Sequence, residues 1–377
     1  MTVVHAVTHA LIISGGMAWD ILWSLILGFT LSASIQAVVR KKTIAHLLGN
    51  ASPTSIATAA GFGIASSSCS YAAVAISRSL FKQGATFVNA MIFEIASTNL
   101  VVELGIIMAL LLGWQFTLAE FIGGPLMIIL LAVLYRIFLR KKLIDAAFQQ
   151  ANQNIAGSME GHAAMDMAID MQGTLQQRLR SSEGLTSISH FFVMEVAAVW
   201  KDIVGGLLLA GAVAAWVPQN WWRALFLSNH HGWSVIWGPV IGPVISLLSF
   251  VCSIGNVPLA AVLWNDGISF GGVVSFIFAD LIIIPILLIY RKYYGTKMML
   301  FILGSFYITM VAAGWLTEFI FSGFDILPST HHLGVIATQH LSLNYTTILN
   351  VIFLVLAGWL AYRFIKTGAL PMLKMMN

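Results

Sequence analysis

The chain has 377 residues, of which 19 are basic and 15 acidic, so 9% are charged against 59% apolar. An ordinary soluble domain is roughly 25% charged. With a mean hydropathy of +0.88, this composition excludes a soluble enzyme, a disordered protein and a nucleic-acid binder, and the expected fold class is an all-α integral membrane protein.

Charge-free runs at Ile21–Val39, Thr43–Ser77, Ile203–Trp222, Ala224–Asn265, Met298–Thr317 and Ile326–Tyr362 supply the spans, since a crossing helix needs about 20 apolar residues. None alternates polar and apolar residues as a barrel strand would. Met1–Ala18 has no Lys or Arg, so the first run reads as a retained span and not a secretory signal. Basic clusters at Arg40–Lys42, Arg136–Lys142, Arg291–Lys292 and Arg363–Lys374 mark cytoplasmic ends.

In chain order these give a span at about 17–39 running inward, one at 85–112 outward and one at 116–139 inward. A cytoplasmic loop follows over 140–200. Spans at 203–220, 268–290 and 298–321 run outward, inward and outward, an outer loop covers 322–342, and residues 343–377 hold a last inward span (343–365) and a tail. The N-terminus is then outside and the C-terminus cytoplasmic. Thr54–Lys82 and Trp237–Asn265 must each begin and end on one face. Each has 29 residues, where two crossings need about 40. Both are therefore expected to be re-entrant hairpins, and their Ser, Gly and Ala suit an irregular turn buried in protein.

The two halves repeat. A shift of 183 lays Cys69-Ser70 on Cys252-Ser253, and Ser66, Val74, Leu80, Gly84, Phe87, Phe93 and Ala96 on Ser249, Val257, Leu263, Gly267, Phe270, Phe276 and Ala279. A shift of 182 lays Asp20-Ile21 on Asp202-Ile203. Residues 17–139 and 201–321 then each read span, hairpin, span, span. Three crossings are odd, so the second copy is inverted, an arrangement that places a substrate site at the repeat interface near the midplane.

Cys69 and Cys252 are the only cysteines, too few for a disulfide framework. Each opens the second leg of its hairpin, where a helix N-terminus favours thiolate. With hydroxyls from Ser66, Ser67, Ser68, Ser70, Ser249 and Ser253 they suit an anion or a soft species such as trivalent arsenic. The same small residues would also serve to pack a tight turn. Glu94, Glu103 and Asp280 are acids inside spans, hence candidate proton carriers or counter-charges. Glu94 and Glu103 point to opposite faces of an ideal helix, and share a path only if it breaks near Ser97–Asn99, where Thr98 and Asn99 sit. Met159, His162, Met165 and Met167 offer soft donors to Cu(I), although a plain Met-containing loop has the same spacing. No Walker A or HExxH pattern occurs, and neither an enzyme nor a cofactor is expected. The expected partners are the lipid bilayer and a small solute or soft metalloid; an oligomer stays open.

The segment SSSCSYAAVAISRSLFKQGATFVNAMIFEIASTN resembles the first signature of the bacterial predicted-permease family that includes organoarsenical efflux permeases. SFVCSIGNVPLAAVLWNDGISFGGVVSFIFADLIIIP resembles the second. The resemblance runs from the first span to about residue 320. It implies an inner-membrane permease that contacts substrate at the cysteine hairpins, with Cys69, Cys252, Thr98, Asn99 and Asn256 carried over by position. Family members often show Pro-x-Cys-Ser-Cys in the first hairpin; here Ser67 and Tyr71 stand at the proline and second cysteine. A membrane thiol oxidoreductase using the two cysteines, although no CxxC is present, and a structural subunit of a membrane complex are the competing readings.

Overall fold

Among the described residues, helices long and apolar enough to cross a membrane lie at His5–Ser34, Phe87–Leu111, Trp114–Phe138, Gly232–Ser249, Thr296–Gly323 and Thr346–Lys366, and a pair bent by 42°, Phe270–Ile282 with Ile284–Tyr294, is together long and apolar enough for one more. The computed structural model describes residues 3–38, 47–68, 70–152, 177, 181–227, 231–249, 253–328 and 345–370. Among these the regular structure is helical throughout. The helices are α1 (Val3–Val38), α2 (Pro53–Ser66), α3 (Ser70–Lys82), α4 (Phe87–Asn99), α5 (Val102–Leu111), α6 (Trp114–Phe138) and α7 (Lys141–Asn152) in the first half. The second half has α8 (Ser182–Trp216), α9 (Gln219–Leu225), α10 (His231–Ser249), α11 (Ser253–Asn265), α12 (Phe270–Phe278), α13 (Ile284–Tyr294), α14 (Thr296–Gly323) and α15 (Tyr345–Lys366). A 3-10 turn, Ala279–Ile282, joins α12 to α13.

Two boundaries differ from expectation. The first helix begins at Val3 and not near residue 17, because nothing in the uncharged stretch before it stops a helix. The region 140–200, expected as loop, contains α7 and the first turns of α8. Ser181 caps α8 by accepting the Gly184 N–H at 2.9 Å, and Ile188, Phe191 and Phe192 are buried. Polar side chains hid this packed face.

α2 and α3 leave and return on one level. Thr86 N–H bonds the Leu48 carbonyl at 2.9 Å, and Asn89 Nδ2 bonds the Leu48 and Asn50 carbonyls and Ser55 Oγ. At the other end of α2, Ser68 N–H bonds the Ser97 carbonyl at 2.9 Å. α2 therefore runs alongside α4 in the same direction, and α3 brings the chain back. α10 lies on α12 in the same way. A Cβ on Gly63 would sit 2.5 Å from the Phe93 carbonyl, and one on Gly242 would sit 2.5 Å from the Gly272 carbonyl. The first leg of this second hairpin is longer than expected, beginning at His231.

The exits from α3 and α11 also match. Ala85 and Gly84 N–H bond Leu80 and Phe81 carbonyls, as Ile268 and Gly267 bond Leu263 and Trp264. This helix stop needs a glycine with positive φ, and Gly84 and Gly267 have φ of 109° and 98°. Thr86 and Ser269 then cap α4 and α12 by accepting the N–H groups of Asn89 and Gly272. The repeated Leu and Gly seen at a shift of 183 are thus the residues that make this turn.

α3, α4, α11 and α12 are almost wholly buried. Around them, Ile129, Val133 and Ile137 of α6 and Val351, Ile352 and Val355 of α15 are exposed, as a lipid-facing surface requires. α7 lies across the ends of α3 and α13: buried Arg78 donates from Nε and Nη2 to the Ala151 carbonyl at 3.2 and 2.7 Å, and Gln150 Nε2 reaches the Lys292 carbonyl at 3.3 Å. The basic clusters at Arg136–Lys142 and Arg291–Lys292 consequently share one face. α15 is stitched to α1 by Asn350, which accepts from Trp23 N–H at 2.9 Å and donates to the Trp19 carbonyl at 2.8 Å. These are the two backbone groups that an uninterrupted helix joins to each other.

Candidate functional site

Ser70 and Ser253 are the first residues of α3 and α11, so each stands at a half-helix N-terminus, the positive end of the helix dipole. Their hydroxyls lie 3.3 Å apart. Both donate to one oxygen, Asp280 Oδ2, at 2.5 and 2.7 Å. Asp280 is fully buried in the 3-10 turn that interrupts α12–α13, and its Oδ1 has no hydrogen-bond partner among the described residues. Asn99 lies beside the same carboxyl. Thr98 accepts from Asn99 Nδ2 at 3.1 Å, and Asn99 Oδ1 likewise has no partner among the described residues.

The companion span breaks at the equivalent level: Leu100 and Val101 leave helical geometry between α4 and α5. Two broken spans and two helix N-termini therefore converge. Between them is a cavity lined by Phe29, Ser67, Ser68, Thr98, Val101, Glu103, Glu195, Ile203, Ser253 and Ile254. It offers about 20 Å³ to the centre of a water-sized sphere, which is room for about one water. Ser67, in the left-handed conformation at φ 41°, donates to Glu103 Oε1. Ser32 donates to Glu195 Oε1 at 2.8 Å and to the Ser67 carbonyl at 2.7 Å. Among the described residues no Lys, Arg or His lines the cavity.

Of the expected site residues, Ser68, Thr98, Ser253 and Glu103 line the cavity, and Ser70, Asn99 and Asp280 form its buried neighbour. Asn256 does not point there: it accepts from Ser249 Oγ and donates to Ser246 Oγ, tying the two legs of its hairpin. Glu94 is also apart from the cavity, accepting from Tyr290 O–H, with Oε2 unpartnered among the described residues. Cys69 and Cys252, and the Met159, His162, Met165 and Met167 group, lie outside the described residues. Glu195, Glu120 and Tyr290 were not foreseen. Glu195 was assigned to a loop, whereas Glu120 was a visible signal, the one acid in the span drawn at 116–139.

The profile of a family described as "Predicted permease" matches residues 6–319. The chain belongs to this permease family. A protein of Mycobacterium tuberculosis (strain ATCC 25618 / H37Rv) named "Putative permease Rv2963" is 62% identical over 340 residues, covering 90% of this chain and 84% of that one. No solved structure matches. The matched region takes in both hairpins, both broken spans and every residue of the cavity. This permease is thus a multi-pass membrane protein whose buried polar groups gather where its spans break. In lipid, non-helical backbone is tolerated only where it is buried in protein or lines a water-filled path.

Proposed function

We propose that the protein is a secondary permease of the bacterial inner membrane that exports a small thiophilic solute, such as a trivalent organoarsenical. The site lies between two inverted repeats, residues 17–139 and 201–321, with the N-terminus outside and the C-terminus cytoplasmic. The observation that carries this reading is the meeting of Ser70 and Ser253, 183 residues apart, on one oxygen of Asp280. Equivalent positions of two repeats meet this way when the repeats face each other across the site. Cys69 and Cys252 directly precede these serines in the chain, and in this reading their thiols would supply the soft ligands.

The acidic lining narrows the solute class. Among the described residues lining the cavity an anion would face Glu103 and Glu195 and no cation, which favours the thiophilic solute over the anionic one. A neutral thiophilic molecule carries no such penalty. A cavity for one water admits it only when the surrounding helices part, as alternating access requires. Glu94, Glu103 and Asp280 would then carry the coupling protons.

The test is resistance to a trivalent organoarsenical in a sensitive bacterial host. Cys69→Ser and Cys252→Ser should each lower it, with the double variant little worse than either, because one shared site is already broken. Full resistance from the double variant rejects the joint thiol site.

A further inference from the structure

Glu120 sits on the inner face of α6 and is 0% exposed. Neither of its carboxyl oxygens has a hydrogen-bond partner among the described residues. The same face of α6 holds Phe116, whose ring packs on Trp264 and Phe270 at 5.1 and 4.7 Å. One turn further on, a Cβ at Gly123 would lie 3.1 Å from the Phe278 ring, and one at Gly124 would overlap Leu100. Glu120 is therefore held between α12 and the break at Leu100–Val101. An ionised carboxylate without a donor in such surroundings is opposed by a desolvation penalty of several kcal/mol or more. A neutral carboxylic acid with an unmade hydrogen bond costs only about 1–3 kcal/mol.

Acids reach this region from the packed elements. α5 brings Glu103 and the 3-10 turn brings Asp280, and both act electrostatically on Glu120. α4 carries Glu94, engaged by Tyr290, and α14 carries Glu318, which accepts the Gly271 N–H. Among the described residues, none of the groups acting on Glu120 is a cation.

We propose that Glu120 is a further proton-carrying residue of the transport cycle. It holds a proton while the Leu100–Val101 break is packed against α6, and releases it when that packing opens. On release its O–H bond breaks, the proton leaves on water entering the opened break, and a carboxylate remains, now hydrated. This rests on the proton-coupled permease reading above, but its first test needs no substrate.

Infrared titration of purified wild-type protein should show a protonated carboxyl C=O band at neutral pH that weakens by one carboxyl equivalent in Glu120→Gln and survives in Glu120→Asp. In proteoliposomes loaded with phenylarsine oxide, Glu120→Gln should lose stimulation by a pH gradient yet keep counterflow exchange of the same probe, which moves no net proton and reports an intact fold. Glu120→Asp should retain part of the stimulation. An unchanged carboxyl band, or full gradient stimulation in Glu120→Gln, overturns the proposal. If wild-type protein does not move phenylarsine oxide, the substrate reading fails and the infrared band alone decides Glu120.

Discussion

Two hydroxyls on one carboxylate oxygen leave Asp280 half satisfied and half available. Ser70 and Ser253 hold Oδ2, while Oδ1 has no partner among the described residues. Asp280→Asn keeps one oxygen that can accept from both serines and removes the charge. It should insert and fold, and lose dependence on a pH gradient in everted vesicles; unchanged gradient-driven flux would exclude a coupling role for Asp280. Ser70→Ala and Ser253→Ala each remove a charge-assisted bond worth about 1.5–3 kcal/mol. Because they share one acceptor, the double variant should depart from additivity by about 0.5–3 kcal/mol in an unfolding titration. Simple additivity would mean that the two bonds are independent. Ser70, Ser253 and Asp280 could be read in the sequence, the serines because they repeat beside the cysteines and the acid because it lies in an apolar span. The direction of Asn256 could not. Its residue type and place fitted the site, yet Ser246 and Ser249, ten and seven residues before it in the chain, claim its amide.

At the scale of elements, glycine sets how closely the hairpin legs approach the spans they accompany. Gly63 and Gly242 each leave no room for a Cβ beside a backbone carbonyl, and backbone cannot move aside as a side-chain tip can. Gly63→Leu and Gly242→Leu should each cost at least about 1–3 kcal/mol from overpacking. Gly61→Ala on the same helix has nothing within 4 Å and should be neutral or stabilising by roughly 0.5–1 kcal/mol. Thermal unfolding in detergent separates the two cases; equal effects at Gly61 and Gly63 would mean that α2 is not packed against α4 as described. The pairing of α2 with α3 matches the short segment read from the sequence, whereas α10, 19 residues from His231, is a longer leg than the sequence suggested. The span breaks were only partly legible. Pro285 in the first turn of α13 explains why that helix starts afresh after Ile283, but Leu100–Val101 contains no residue that breaks a helix by its own chemistry; Leu100 packs there against Gly124 of α6.

For the whole molecule, the face shared by α7 and the end of α13 makes a strong topological statement. In a background lacking both cysteines, single cysteines placed in 141–152 and 291–297 should label from one side of the membrane, and those in 218–227 from the other. Labelling of 141–152 and 218–227 from the same side would end the inverted-repeat reading. The matched α15–α1 contact has a different kind of consequence. The family match stops at residue 319, and α15 lies wholly beyond it, yet Asn350 borrows a donor and an acceptor from the middle of α1. Withdraw that side chain and the two groups need no new partner, since they are already spaced to satisfy one another. Asn350 is therefore a removable splint on α1 at the level of Trp19–Trp23: taking it away leaves a donor and an acceptor that can close on each other.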